Sequence, residues 1–122
     1  MTRIWLAIAG LGGLVSVIAG AMGAHLADDP RAAGLLHTGA VYGMAHAAAL
    51  LAVIALAQGR EPRRGLAVVA GGSFAAGIVL FSGSLFALAA GGGRWLGWVT
   101  PFGGFALILG WGALAILSLR RR

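Results

Sequence analysis

This sequence predicts an all-α fold, an integral membrane four-helix bundle with both termini cytoplasmic. Three observations carry that reading. Nine Lys and Arg with three Asp and Glu are too few to clothe a soluble domain of 122 residues that is 60% hydrophobic, with mean hydropathy +0.94. Four uncharged apolar runs, 4–24, 38–57, 66–90 and 101–119, match the roughly 20 residues a helix needs to cross about 30 Å of hydrocarbon. The arginines gather between alternate runs, as orientation signals do. A net charge of +6 would suit nucleic acid only if spread over a polar face, and these arginines sit between apolar runs instead. No nucleic-acid partner is expected. The lack of cysteine removes disulfides, thiolate metal sites and cysteine nucleophiles together.

The first run follows Arg3 and ends in small residues, as a secretory signal does. Its 21 residues exceed the roughly 7 to 15 of a signal's apolar region, so it reads as a span. Before the second run, Asp29 and Pro30 look like a helix N-cap and first-turn proline, so 30–37 is either a short surface helix or an extension of helix two. Segment 58–65, with Pro62 between two glycines, is a short turn. Gly91, Gly92 and Gly93 end the third run, and Trp95 and Trp98 suit the membrane interface. Gly91 to Gly93 with Arg94 could also cradle a lipid phosphate, although a turn is the simpler reading. For the fourth helix, Thr100 as cap with Pro101 in the first turn is favoured over a start near Leu96.

With four spans, Arg3, Arg60, Arg63, Arg64, Arg120, Arg121 and Arg122 share one side, against Arg31 and Arg94 on the other. Positive charge in short loops resists translocation, so the seven-arginine side is expected to be cytoplasmic. Small four-span exporters, by contrast, insert both ways and carry an intramembrane carboxylate. Asp28, Asp29 and Glu61 all lie in loops here.

Glycine is frequent, at 22 residues, without the repeat of collagen or the polarity of a linker. Small residues recur every four positions at Gly12, Ser16 and Gly20, at Gly39, Gly43 and Ala47, at Ser73 and Gly77, and at Ala106 and Gly110. Such ridges let helix backbones approach where lipid supplies no hydrophobic drive, so Gly12, Ser16, Gly20, Gly39 and Gly43 are expected at helix contacts.

On this topology the polar residues His25, Tyr42, His46, Ser82, Ser84 and Thr100 fall toward the outer side, and a candidate polar cluster around His46 opens there. The inner half keeps only Ser73 and Ser118. His46 is the one imidazole clearly inside a span, and an intramembrane ionisable group is costly unless paired. A structural role is expected, with a backbone carbonyl, Ser82, Ser84 or the Tyr42 phenol as partner. Ser82 and Ser84, two apart on a helix, cannot both face the same neighbour. No metal is expected, because no His pair has ligand spacing and His37 and His46 lie about 13 Å apart along a helix. No Gly-x-Ser-x-Gly, Walker loop or His-Glu-x-x-His occurs, so neither an enzyme nor a cofactor is expected.

Several motifs carry a family resemblance: Gly20-Ala21-Met22-Gly23-Ala24-His25, Tyr42-x-x-x-His46-Ala47, Phe81-Ser82-Gly83-Ser84-Leu85, and Arg94-Trp95-Leu96-Gly97 through Thr100-Pro101-Phe102-Gly103-Gly104. They resemble the YgdD-like family of small bacterial inner-membrane proteins, with the Phe-Ser-Gly-Ser and Thr-Pro-x-Gly-Gly pair the most specific. The resemblance implies four spans in the bacterial inner membrane and brings no reaction with it. The chain departs from the family at Leu26, Asp28 and Asp29, where small residues usually follow, and at Phe86, where a tyrosine is common.

The leading functional expectation is a non-catalytic structural or interaction component, surrounded by the lipid bilayer and associating with a second copy or another membrane protein. The alternative is a small transporter or channel subunit that uses the polar cluster. Few polar groups in the inner half could line an exit, which favours the first.

Overall fold

The computed structural model describes residues 1–58 and 64–120. Most of the expected turn over 58–65, and Arg60, Glu61, Arg63, Arg121 and Arg122 with it, lie outside the described residues. Helix α1 spans Thr2–His25, α2 Pro30–Ala57, α3 Arg64–Gly77, α4 Gly83–Ala89 and α5 Leu96–Leu119; a π-helical turn, Ile78–Ser82, joins α3 to α4. Read through that turn, Arg64–Ala89 is one span, and the four spans of 24, 28, 26 and 24 residues are each long and apolar enough to cross a membrane. Helices are what a bilayer permits, since each backbone N–H and C=O must be satisfied within its own segment.

α1 packs chiefly on α2, α2 packs on the third span, and the third span packs on α5. The third span is therefore the centre of the molecule. Of its most apolar stretch 44% is buried, against 22% for α1. Phe74, Leu50, Val53, Ala67 and Ala70 form the enclosed core, while α1 and α5 turn Leu14, Val17, Phe105 and Ile108 outward.

One open choice of boundary is decided, and one boundary differs from expectation. α2 begins at Pro30 and runs unbroken through 30–37, settling that choice in favour of an extension. Asp29 caps it, its carboxylate accepting from the Arg31 and Ala32 amides at 3.2 and 3.3 Å. α5 begins at Leu96, not at the favoured Thr100 cap. The Thr100 hydroxyl turns back to the Leu96 carbonyl at 3.2 Å, so it satisfies an acceptor inside the helix instead of capping free amides. Pro101 then lies inside α5, and the residue four before it is Gly97, whose surroundings are open. The ring removes one hydrogen bond near the helix start, where a turn of bonds reaching three residues back already tightens the backbone.

The three glycines after α4 form a C-terminal cap. Gly91 N–H donates to Leu88 at 3.1 Å, Gly92 N–H to Ala87 at 2.8 Å, and Gly91 takes φ +93°, the left-handed conformation that glycine adopts without strain. Two of the three amides are thus committed to ending the helix, and the phosphate cradle suggested there is not formed.

Candidate functional site

The site begins at His46, 16 residues from the start of α2 and 11 from its end, about 24 and 16 Å along the axis and so in the middle of the bundle. Its depth is more central than the outer placement expected. The imidazole is 6% exposed. Its Nδ1 lies 2.7 Å from the Tyr42 carbonyl and its Nε2 lies 2.9 Å from the Trp111 indole nitrogen. A carbonyl only accepts and an indole N–H only donates, so both contacts are met together by one species, the neutral ring protonated at Nδ1. A second ring proton at Nε2 would face the indole N–H and break that bond.

Tyr42 stacks beside the imidazole with centroids 5.9 Å apart, Phe74 tilts against it at 5.6 Å, and Trp111 crosses edge-on to Phe74 at 5.1 Å. α2 and α5 themselves do not pack closely. The indole therefore bridges two helices over the Phe74 ring of the helix between them. Trp111 is half exposed on its outer side, where hydrocarbon offers its N–H no acceptor, so His46 supplies the one it needs.

Of the partners expected for His46, the backbone carbonyl is the one found, that of Tyr42, whereas the serines bond elsewhere. Ser82 donates to the Gly39 carbonyl of α2 at 2.8 Å, whereas Ser84 meets Thr100 of α5 at 2.6 Å. Two residues apart, they diverge to opposite neighbours. Ser84 also reaches the Phe81 carbonyl at 3.0 Å. With one proton on each hydroxyl, Ser84 and Thr100 supply two of the three bonds in the chain Phe81 O, Ser84, Thr100, Leu96 O at any moment. His25 ends α1, exposed and outside these contacts. The single polar cluster thus separates into three ties: α2 to α5 through His46, α2 to the third span through Ser82, and the third span to α5 through Ser84.

Small residues bring the backbones to these distances. A Cβ on Gly39 would stand 2.5 Å from the Phe86 ring, one on Gly12 2.9 Å from Ile78, and one on Gly20 3.4 Å from Ala40. On Gly43 it would run into Ser16 Oγ. Ser16 itself is 1% exposed, and its hydroxyl finds no partner among the described residues. Beside it, a lateral groove of about 270 Å³ between α1 and the third span is lined by Ile8, Val15, Ile78 and Phe86. Among the described residues no three His, Asp or Glu side chains gather as metal ligands.

Trp111 and Gly103 escaped sequence reasoning. Trp111 is a mid-span tryptophan, unlike interfacial Trp95 and Trp98, and an indole N–H at that depth is itself a signal that an acceptor lies nearby. Gly103 lies directly on the backbone of the π turn, where an added Cβ would meet Leu80 C and Phe81 Cα at 2.7 Å.

Residues 19–104 match a family described as "Protein of unknown function (DUF423)". The chain is 36% identical over its full length to a UPF0382 membrane protein of Haemophilus influenzae, covering 98% of that protein. It is 34% identical to the UPF0382 membrane protein YwdK of Bacillus subtilis, over 97% of this chain and 98% of that one. It is also 34% identical to the UPF0382 inner membrane protein YgdD of Escherichia coli, over 98% and 92% respectively. No solved structure matches.

Proposed function

The chain belongs to the DUF423 family of membrane proteins, and from that premise we propose that it is a non-catalytic structural or interaction component of the bacterial inner membrane, with both termini cytoplasmic. One observation carries the reading. His46, the imidazole at mid-depth, spends both ring nitrogens on the fold, donating to Tyr42 O and accepting from Trp111. A proton carrier or ligand-binding histidine needs a nitrogen that can exchange its partner during the cycle, and neither nitrogen is free to do so. Ser82, Ser84 and Thr100 are engaged in the same way between helices. The relatives are named only as membrane proteins, which fits a family without a common reaction in its names.

The test is proton flux through purified protein in liposomes under an imposed potential. Leak no greater than that of protein-free vesicles is expected, for the native chain and for His46→Asn alike. A flux that the native protein supports and His46→Asn abolishes would establish the transporter reading instead.

A further inference from the structure

The three polar ties join α2, the third span and α5, and none reaches α1. Among the described residues no side-chain hydrogen bond links α1 to a neighbouring helix. Its one buried hydroxyl is that of Ser16, which has no partner among those residues. An unpaired hydroxyl inside a bundle carries its full desolvation penalty, so the fold gains by bringing it an acceptor.

Ser82 of the third span is the acceptor within reach. Ser16 Oγ occupies the space that a Cβ on Gly43 would take, and Ser82 Oγ lies 3.2 Å from that same point. Ser82 spends its proton on the Gly39 carbonyl, which leaves the lone pairs of its oxygen free to accept. The two hydroxyls are complementary, donor to acceptor, yet they do not bond.

What separates them is the seating of α1. This helix packs far more extensively on α2 than on the third span, and it is the least buried of the four. It meets the third span at Gly12, where a Cβ would stand 2.9 Å from Ile78. Beside that contact lies the 270 Å³ groove, with Ser16 and Ser82 both in its wall. A second groove of about 220 Å³ adjoins it toward the outer side, sharing Val15 and Phe86 and reaching Met22 and Ala90. Over its outer half α1 therefore stands off the third span. Toward α2 the middle of α1 presents small residues: Gly13 faces Ala47, Ser16 faces Gly43 and Gly20 faces Ala40. No long side chain interlocks at those three points, so little opposes a small shift of one helix across the other.

We propose that α1 is a lateral gate with two seats. In the open seat, the one the structure shows, the groove faces the hydrocarbon and Ser16 is unpaired. In the closed seat α1 pivots on the Gly12 contact and leans toward the third span by about 1 to 2 Å, the range over which packed helices move between discrete arrangements. The Ser16 hydroxyl then donates to Ser82 Oγ, and the chain Ser16, Ser82, Gly39 O ties α1 to α2 and the third span. The open seat gives up that bond for a groove that lipid chains can enter, so the two seats differ in what each satisfies. His46 takes no part, and the gate stands or falls independently of the proton-flux assay.

The experiment is a spin-label distance measurement on the full chain in liposomes. The chain has no cysteine, so labels attach only at Val17→Cys and Phe105→Cys, both exposed and eight and nine residues from the outer ends of α1 and α5. α5 is the fixed reference because it packs on the third span. Two distances are expected, the shorter by about 1 to 2 Å, and Ser16→Ala is expected to remove the shorter one. That variant deletes a hydroxyl that bonds nothing in the open seat, so the fold is not at risk. Ser82→Ala removes the acceptor and should have the same effect, whereas Ser84→Ala, which faces α5, should keep both distances. A distance distribution unchanged by Ser16→Ala would overturn the proposal, and the hydroxyl would then belong to a carbonyl of its own helix. So would a Ser84→Ala loss equal to that of Ser16→Ala, because α1 would then be answering a general loosening of the bundle.

Discussion

At the scale of single residues, His46 and Trp111 solve each other's problem. An imidazole and an indole N–H both lose hydration inside a bilayer, and the 2.9 Å bond between them satisfies both at once. Interhelical bonds of this kind contribute roughly 0.6 kcal/mol on average and up to about 2 kcal/mol in membrane proteins. Trp111→Phe keeps most of the ring against Phe74 and removes only the donor, so a loss of about 1 kcal/mol is expected in a reversible unfolding assay in mixed micelles. Once His46 is replaced by leucine, Trp111→Phe should cost little more, because no acceptor remains to lose. Equal effects in the two backgrounds would mean that the pair is not coupled. The histidine was legible from the sequence as the one imidazole within an apolar run. Its partner was not, because Trp111 lies 65 residues away and only the tertiary fold makes them neighbours.

At the scale of elements, the π turn Ile78–Ser82 organises the third span. Its wider turn carries Ser82 toward α2 and Ser84 toward α5, and Gly103 of α5 lies against its backbone. Gly103→Ala forces those backbones apart and is expected to destabilise by about 1 to 3 kcal/mol, the usual cost of overpacking. Gly72→Ala, on the same span with open space around it, serves as the control and should be neutral or slightly stabilising through helix propensity. Comparable melting of the two variants in detergent would count against the close contact. The sequence marked Asp29 and Pro30 as a helix start because cap and first-turn proline are local chemistry. It misplaced the start of α5 because Thr100-Pro101 has the same local signature, yet the backbone continues back to Leu96. A π turn has no residue signature, and nothing in Ile78–Ser82 announces one.

For the whole molecule, the four uncharged runs were enough to reveal four spans, since hydrocarbon thickness sets a length that few other folds require. Their extents were less legible. α2 gains eight residues at its start, where Arg31 and His37 interrupt the apolar run without interrupting the helix. Orientation rests on charge alone. A phosphatase reporter that works only outside the cytoplasm should be active when fused after Asp29 and silent when fused after Arg122, given the seven-to-two arginine split. Equal activity at both points would mean that the arginines do not set the topology. Across the bundle, the polar residues inside the membrane act as ties between helices, and the tie through His46 joins two helices that do not pack closely on one another. Nitrogen-15 NMR of labelled protein in lipid at neutral pH reads that tie directly. The expected result is a His46 ring protonated at Nδ1, with a scalar coupling between its Nε2 and the Trp111 indole nitrogen across the hydrogen bond. An Nε2-protonated ring, or exchange between tautomers with no coupling to Trp111, would contradict the structural role and return His46 to the candidates for proton or ligand chemistry.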